Sequence, residues 1–264
     1  MTAVLVAPAA TERSTRTAAL RLDSVSKVYG SGSGAVHALD NISLDVAPGE
    51  FVCLVGASGC GKSTLLSLVA ELDKPTAGTI DVPGGQDPGL MFQEAALFPW
   101  LTVADNVGLP LRLRHVSRDA RKARVAELLR TVHLAEFGRK RPHELSGGMR
   151  QRVALARTLA LDSTLLLMDE PFGALDAMTR DLLHDELERI WAERQLSVLF
   201  VTHNVREAVR LGDRIVLLSS RPGRIVAEYR VEMARPRRID SPEIAAIAGE
   251  VTDRLRLEVG RHGG

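Results

Sequence analysis

The segment Gly56-Ala57-Ser58-Gly59-Cys60-Gly61-Lys62-Ser63 constrains this chain more than any other. It follows Phe51-Val52-Cys53-Leu54-Val55, a continuous apolar run of the kind found in a strand covered on both faces. Helical spacing over residues 62–72 comes next. Strand, glycine-rich loop and helix in that order make a cradle for phosphate. Glycines at 56, 59 and 61 let backbone N–H groups turn inward with no Cβ in the way, and the helix adds its positive N-terminal end. Lys62 supplies a point charge to β- and γ-phosphates, and the Ser63 hydroxyl suits a Mg²⁺ position. The pattern arises by chance in roughly one chain in a hundred of this length, so its flanking strand and helix matter as much as the letters.

The same kind of apolar run recurs at Leu165-Leu166-Leu167-Met168, Val198-Leu199-Phe200-Val201 and Ile215-Val216-Leu217-Leu218. Leu183, Leu187, Ile190 and Trp191 form one face of a helix between the first two. Strands alternating with helices predict an α/β fold with a parallel sheet, whose ligands gather at the carboxyl ends of the strands. Ile42, Leu44 and Val46 alternate with polar neighbours as a half-buried strand does, whereas residues 94–160 carry helical spacing and read as an insertion, with a clear amphipathic helix over 118–132. Residues 1–17 read as a frayed tail. After about residue 230 the pattern weakens into a basic knot, Arg235-Pro236-Arg237-Arg238, expected on a solvated surface, and a C-terminal helical extension over 231–264.

Composition narrows the function classes. A net charge of +1 over 264 residues gives no global field to gather nucleic acid or an anionic membrane. Cys53 and Cys60, two in all, are too few for a disulfide framework or a metal site and read as packing residues of a reduced, intracellular protein. No apolar run approaches the roughly 20 residues a bilayer crossing needs.

Several chemistry-bearing residues stand at strand ends. Asp169 and Glu170 close an apolar strand, where two carboxylates are costly unless a cation or hydrogen bonds compensate. With a phosphate loop upstream, Asp169 suits the Mg²⁺ shell, and Glu170, pointing the other way, suits the polarisation of an attacking water. His203 ends another buried strand and, beside such carboxylates, can donate a hydrogen bond near a γ-phosphate; alone it is more often structural. Gln93 ends Leu90-Met91-Phe92, and its amide can reach metal or water, although a plain strand terminus explains it as well. Tyr29 offers an aromatic face for adenine, against an edge-strand tyrosine as the default.

A second glycine segment, Leu145-Ser146-Gly147-Gly148-Met149-Arg150-Gln151, opens a helix whose apolar face is Met149, Val153, Ala156 and Ala160. Free N–H groups and the Ser146 hydroxyl make another anion-binding helix start. A chance match to Leu-Ser-Gly-Gly-x-x-Gln is on the order of one in several thousand chains. A serine N-cap accounts for Ser146 but not for the paired glycines.

Together these segments resemble the ATP-binding subunit of ABC transporters over about residues 20–228. The resemblance implies a P-loop NTPase core with a mostly parallel sheet, an N-terminal antiparallel β subdomain and the helical insertion, all within 18–230. It implies that ATP contacts Tyr29, Gly56, Ala57, Ser58, Gly59, Cys60, Gly61, Lys62, Ser63 and Thr64. Ser63, Gln93 and Asp169 would serve Mg²⁺, and Lys62, Gln93, Glu170 and His203 catalysis. Ser146, Gly147 and Gly148 would cap the γ-phosphate held by a second copy, in a homodimer enclosing two ATP molecules. Transmembrane permease subunits and, indirectly, a solute-binding protein are the implied partners, at the cytoplasmic face of the membrane, with no nucleic acid. Phe98 and Trp100 are candidate permease contacts. Ala174-Leu175-Asp176 matches the family's D-loop. Gly173 and Asn204 stand where the family usually has Ser and often Asp, which implies tuned dimer contacts. The stretches 91–100, 168–180 and 219–225 are similar to importers of nitrate, taurine and aliphatic sulfonates, and the basic knot leans toward the sulfonate branch.

Overall fold

All six residues of the strand Phe51–Gly56 are buried, and the remainder of the fold is arranged to cover them. The computed structural model describes residues 4–6, 18–83 and 87–260. In chain order the strands are β1 (Val4–Val6), β2 (Leu20–Tyr29), β3 (Val36–Val46), β4 (Phe51–Gly56), β5 (Ala77–Asp81), β6 (Gly89–Met91), β7 (Leu165–Asp169), β8 (Ser197–Thr202), β9 (Arg214–Leu218) and β10 (Ile225–Arg230). The helices are α1 (Lys62–Val69), α2 (Val103–Leu113), α3 (Arg118–Thr131), α4 (Gly147–Leu159), α5 (Ala177–Arg194), α6 (Val205–Leu211) and α7 (Pro242–Gly260).

The main sheet runs β1-β10-β9-β4-β8-β7-β6. Its β9-β4-β8-β7-β6 part is parallel, and β10 and β1 add antiparallel strands at one edge. A second, three-stranded antiparallel sheet has the order β3-β2-β5. Period-two alternation sorts the side chains of β4 between two cores. Phe51, Cys53 and Val55 join α2 through α7, while Val52 and Leu54 join α1 and the antiparallel sheet. The α/β architecture expected from the sequence is therefore present, with α2, α3 and α4 falling within residues 94–160.

Four expectations need correction. The helix expected over 62–72 stops at Val69. Glu71 turns left-handed (φ 57°), and the N–H of Leu72 donates to the Ser67 carbonyl, so the end carbonyls are satisfied by a terminator that usually uses glycine. Val4–Val6, inside the expected tail, pairs with β10, because that edge offers free backbone groups to any apolar trio that can reach it. Of the remaining tail, residues 1–3 and 7–17 lie outside the described residues. Nor is 231–264 helical throughout: residues 231–241 are irregular, and α7 starts at Pro242, where a missing N–H costs nothing.

Nor is the basic knot solvated throughout: Pro236 and Arg238 are exposed, but Arg235 is half-buried and Arg237 is buried. Arg237 is 4% exposed. Its guanidinium donates to the carbonyls of Val209, Arg210 and Gly212 at the end of α6, and to those of Val231 and Met233. Burial, with Arg235 adding to it, pushes Arg237 down to about 10, still cationic at neutral pH. Arg235 stacks on Trp191, 4.4 Å from the ring centre, and pairs with Glu188 and Asp213. A helix C-terminus leaves carbonyls unpaired, and a planar fork of donors satisfies several at once. Among the described residues no helix is long and apolar enough to cross a membrane.

Arg237→Met should lower stability by about 3 kcal/mol, since charged donors are withdrawn from buried carbonyls, and Arg237→Lys should recover only part of it. A urea midpoint unchanged in Arg237→Met would contradict this role.

Candidate active site

The carboxyl ends of β4, β6, β7 and β8 share one edge of the sheet, and the loops leaving them carry most of the candidate residues. The loop after β4 closes at Gly61, whose φ of 104° is open to glycine. A Cβ there would stand 2.7 Å from the Ala38 carbonyl oxygen and 2.6 Å from Leu39 Cδ2. Lys62, at the first position of α1, is buried, and its ammonium donates to the carbonyls of Gly56 (2.8 Å) and Ala57 (3.0 Å). The cation is thus held inside the loop. Cys60 lies beneath, its thiol pushed up by burial against the opposing pull of Lys62, and Cys53 is raised well above its ordinary value, also by burial. Both behave as packing residues.

Ser63 follows on the exposed side of α1, its hydroxyl close enough to Asp169, at the end of β7, to influence that carboxyl. Burial raises the Asp169 carboxyl, the Ser63 hydroxyl lowers it, and Glu170 and Lys62 act in opposite directions. A carboxylate so placed gains from a nearby cation.

Glu170 carries the sheet one bond further, its N–H donating to the Val201 carbonyl (2.9 Å). It then turns left-handed at φ 44°, a conformation that costs a non-glycine residue on the order of 1 kcal/mol or more. That turn carries its carboxylate to His203, with Oε2 2.8 Å from Nδ1. The imidazole remains largely exposed, at 62%. Gln93 comes from the end of β6. A Cβ on Gly173 would lie 3.7 Å from Gln93 Nε2 and 3.8 Å from Glu170 Oε2, so amide and carboxylate flank the same glycine.

The structure therefore brings together the loop 56–63, Asp169, Glu170, His203 and Gln93. Tyr29, at the end of β2, is held from the antiparallel side: its hydroxyl donates to Asp73 (3.0 Å), Lys27 stands 4.8 Å from the ring centre, and the ring is 41% exposed. Ser146 caps α4 by accepting the Met149 N–H (3.3 Å). Its glycines pack near the start of α5. A Cβ at Gly148 would lie 2.4 Å from Thr179 Cγ2, and one at Gly147 3.3 Å from Leu175 Cδ2. The second glycine thus has a packing reason that the local sequence does not reveal.

Asn204 is also explained. It is the N-cap of α6, its side chain accepting from the N–H groups of Arg206 and Glu207, work that an aspartate would do equally. Three further contacts escaped the sequence. Gln151 donates to the Gln93 carbonyl (2.7 Å), Arg157 donates to those of Ala95 (3.0 Å) and Ala96 (2.7 Å), and Arg221 donates to that of Gly59 (3.2 Å). The signal for the first two was long polar side chains among the apolar, buried positions of α4.

The ABC transporter family model matches residues 39–173. The chain belongs to the ABC transporter family. It is an ABC-type ATPase, and ATP is its nucleotide. It is 52% identical to the taurine import ATP-binding protein TauB of Burkholderia thailandensis, covering 80% of this chain and 84% of that protein. It is 48% identical to the nitrate import ATP-binding protein NrtD of Synechocystis, covering 81% and 83%. To the aliphatic sulfonates import ATP-binding protein SsuB 1 of Mesorhizobium japonicum it is 47% identical, covering 82% of each. Among solved structures it resembles the dimeric, post-hydrolysis state of the ATP-binding cassette MJ0796 bound to ADP and Pi. That likeness has a TM-score of 0.72 at 34% identity, covering 81% of this chain and all of that one.

Proposed function

We propose that this chain is the ATP-hydrolysing subunit of a bacterial ABC importer, working as a homodimer at the cytoplasmic face of the membrane. The Glu170–His203 pair, at the strand ends that carry the phosphate loop, supports this most directly. In this reading the loop from Gly56 to Thr64 holds the phosphates and Lys62 turns its ammonium from loop carbonyls to phosphate oxygens. Glu170 accepts a proton from the attacking water, with His203 fixing its carboxylate and contacting the γ-phosphate. Tyr29 presents an exposed ring to adenine.

The residues also fit Mg²⁺. Among the described residues no three His, Cys, Asp or Glu cluster as a metal site. Mg²⁺ needs no such cage: it binds through one or two protein oxygens plus phosphate and water. The Ser63 hydroxyl beside the Asp169 carboxylate supplies that donor set, with the Gln93 amide nearby. When bound, the ion neutralises charge on the β- and γ-phosphates.

The helix tip at Ser146–Gly148, exposed at Ser146 and half-buried at Gly147, serves the nucleotide of a second copy, a reading supported by the dimeric state of the MJ0796 cassette. The permease contact lies on the helical insertion. Phe98 and Trp100 pack together with centroids 5.4 Å apart, and Trp100 is 67% exposed. Close along the chain, a groove between α2 and α3 has Gly108, Val125 and Leu129 in its floor, and Arg112, Arg118, Arg121 and Lys122 line it. Among the described residues none of those four cations is in an ion pair, so an acidic segment of the permease complements them. We favour aliphatic sulfonates as the solute, with nitrate or taurine the alternative, three solutes that the names of the relatives carry. A non-transport ABC ATPase is the less favoured reading.

Glu170→Gln should keep ATP binding and accumulate an ATP-bound dimer on gel filtration while turnover falls at least about 10²-fold; undiminished turnover removes Glu170 from the role. Ser146→Arg should leave nucleotide binding by the monomer intact and abolish ATP-dependent dimerisation, and a mutant that still dimerises refutes the trans contact. In vesicles carrying the neighbouring permease and binding protein, ATP should drive uptake of a labelled alkanesulfonate, and uptake of taurine or nitrate alone would favour the alternative. Arg118→Glu with Arg121→Glu should detach the chain from those vesicles, and attachment at wild-type level would clear the groove of this function.

A further inference from the structure

His184 is an imidazole with no exposed surface, on α5, and nothing in the proposed reaction uses it. Its ring is held on all sides. Nε2 lies 2.6 Å from Glu207 Oε1, and Nδ1 lies 3.0 Å from a guanidinium nitrogen of Arg210. A guanidinium can only donate, so Nδ1 is the acceptor and Nε2 carries the proton given to Glu207. The roles of its two nitrogens are thereby set. Arg210 is itself held to α5 by Asp181 (3.1 Å) and Asp185 (2.6 Å).

From this ring two short paths lead to the two members of the hydrolytic pair. On one side the second oxygen of Glu207 accepts from the Thr202 hydroxyl, and that hydroxyl oxygen accepts from the N–H of Asn204 (3.0 Å). Thr202 and Asn204 are the immediate neighbours of His203, and Asn204 is additionally pinned as the cap of α6. The exposed imidazole of His203 therefore projects from a backbone fastened on both sides. On the other side, Phe172 sets its buried ring edge-on to His184, with centroids 5.5 Å apart at 69°. Phe172 is two residues beyond Glu170, on the turn that gives Glu170 its left-handed backbone.

We propose that the buried His184–Glu207–Thr202 chain is a positioning device that sets the placement of His203 against Glu170. This rests on the reading of Glu170 and His203 as the hydrolytic pair. Apolar residues would fill the same space, but hydrogen bonds have direction, and direction is what an exposed imidazole on a short loop requires. All three side chains are buried, so their effect is on turnover and not on ATP affinity.

The test uses the full-length chain with its permease for kinetics, and histidine ¹⁵N spectra of the full-length chain, with the His203 signals identified by their loss in His203→Ala. Thr202→Val keeps the shape and β preference of the strand end while removing the hydroxyl. It should lower kcat about tenfold with KM for ATP within about twofold, and shift the His203 ring signals, whereas Thr202→Ser should retain both. Glu207→Gln has one acceptor oxygen where two are needed and should move the same signals, which keeps the test open if Thr202→Val does not fold. His203 signals unmoved in the folded variants overturn the proposal, even if kcat falls, because such a fall would not pass through His203. His203→Ala separates the two levels. If it leaves turnover unchanged, the reading of the pair itself fails. If it abolishes turnover while Thr202→Val and Glu207→Gln change nothing, only the positioning role fails.

Discussion

Parallel pairing around a strand that shows no face to water is the constraint on which the rest depends. β4 is bonded on one side to β8 and on the other to β9, and its side chains are divided between two apolar clusters. Such a strand cannot slip, since a shift of one residue would exchange the contents of the two cores. The register then does the work of assembly. Val55 stands opposite Thr202, Asp169 opposite Val201 and Met91 opposite Met168. The phosphate loop, the Asp169–Glu170 pair, His203 and Gln93 consequently leave the sheet at nearly the same level. Their proximity is a property of the ladder and needs no adjustment by the loops, which is how a rigid scaffold keeps reacting groups oriented.

The parts that were legible in the sequence are those whose cause is local. β4, β7, β8 and β9 begin and end within one or two residues of their apolar runs, because a doubly covered strand has to be apolar throughout. The phosphate loop was legible because only certain residues permit its backbone. What escaped detection was made by partners distant in sequence. β1 exists through pairing with β10, more than two hundred positions on. Arg237 is buried because the end of α6, not its own basic neighbours, supplies acceptors. Charge counted along a chain cannot distinguish an arginine that coats a surface from one that closes a helix.

Gly148 shows the same limit at the candidate site. Two glycines after a serine at a helix start suggested exposed N–H groups for an anion, and Ser146 does cap the helix with its hydroxyl. Yet Gly148 is buried, and the methyl of Thr179 occupies the place its Cβ would take. Close packing of α4 on the start of α5 thus accounts for one glycine by itself. An anion-cradle reading then rests on Ser146, on Gly147 and on the exposure of the tip.

Gln93 draws a consequence from all of this. Its side chain and the Glu170 carboxylate flank Gly173, at the end of the sheet, whereas its carbonyl is held by Gln151 on α4, and the two residues after Glu94 are held by Arg157 on the same helix. The amide belongs to one body and the main chain to the other. Movement of the helical insertion relative to the sheet therefore draws the Gln93 amide from Glu170 or breaks its carbonyl bond to Gln151. A buried hydrogen bond of this kind is costly to leave unmade. The cheaper outcome is for the amide to move, so the proposed water-activating carboxylate gains or loses a neighbour according to where the insertion stands. Under the proposed function, that would be the point at which a permease seated on the insertion and a phosphate held by the sheet influence each other.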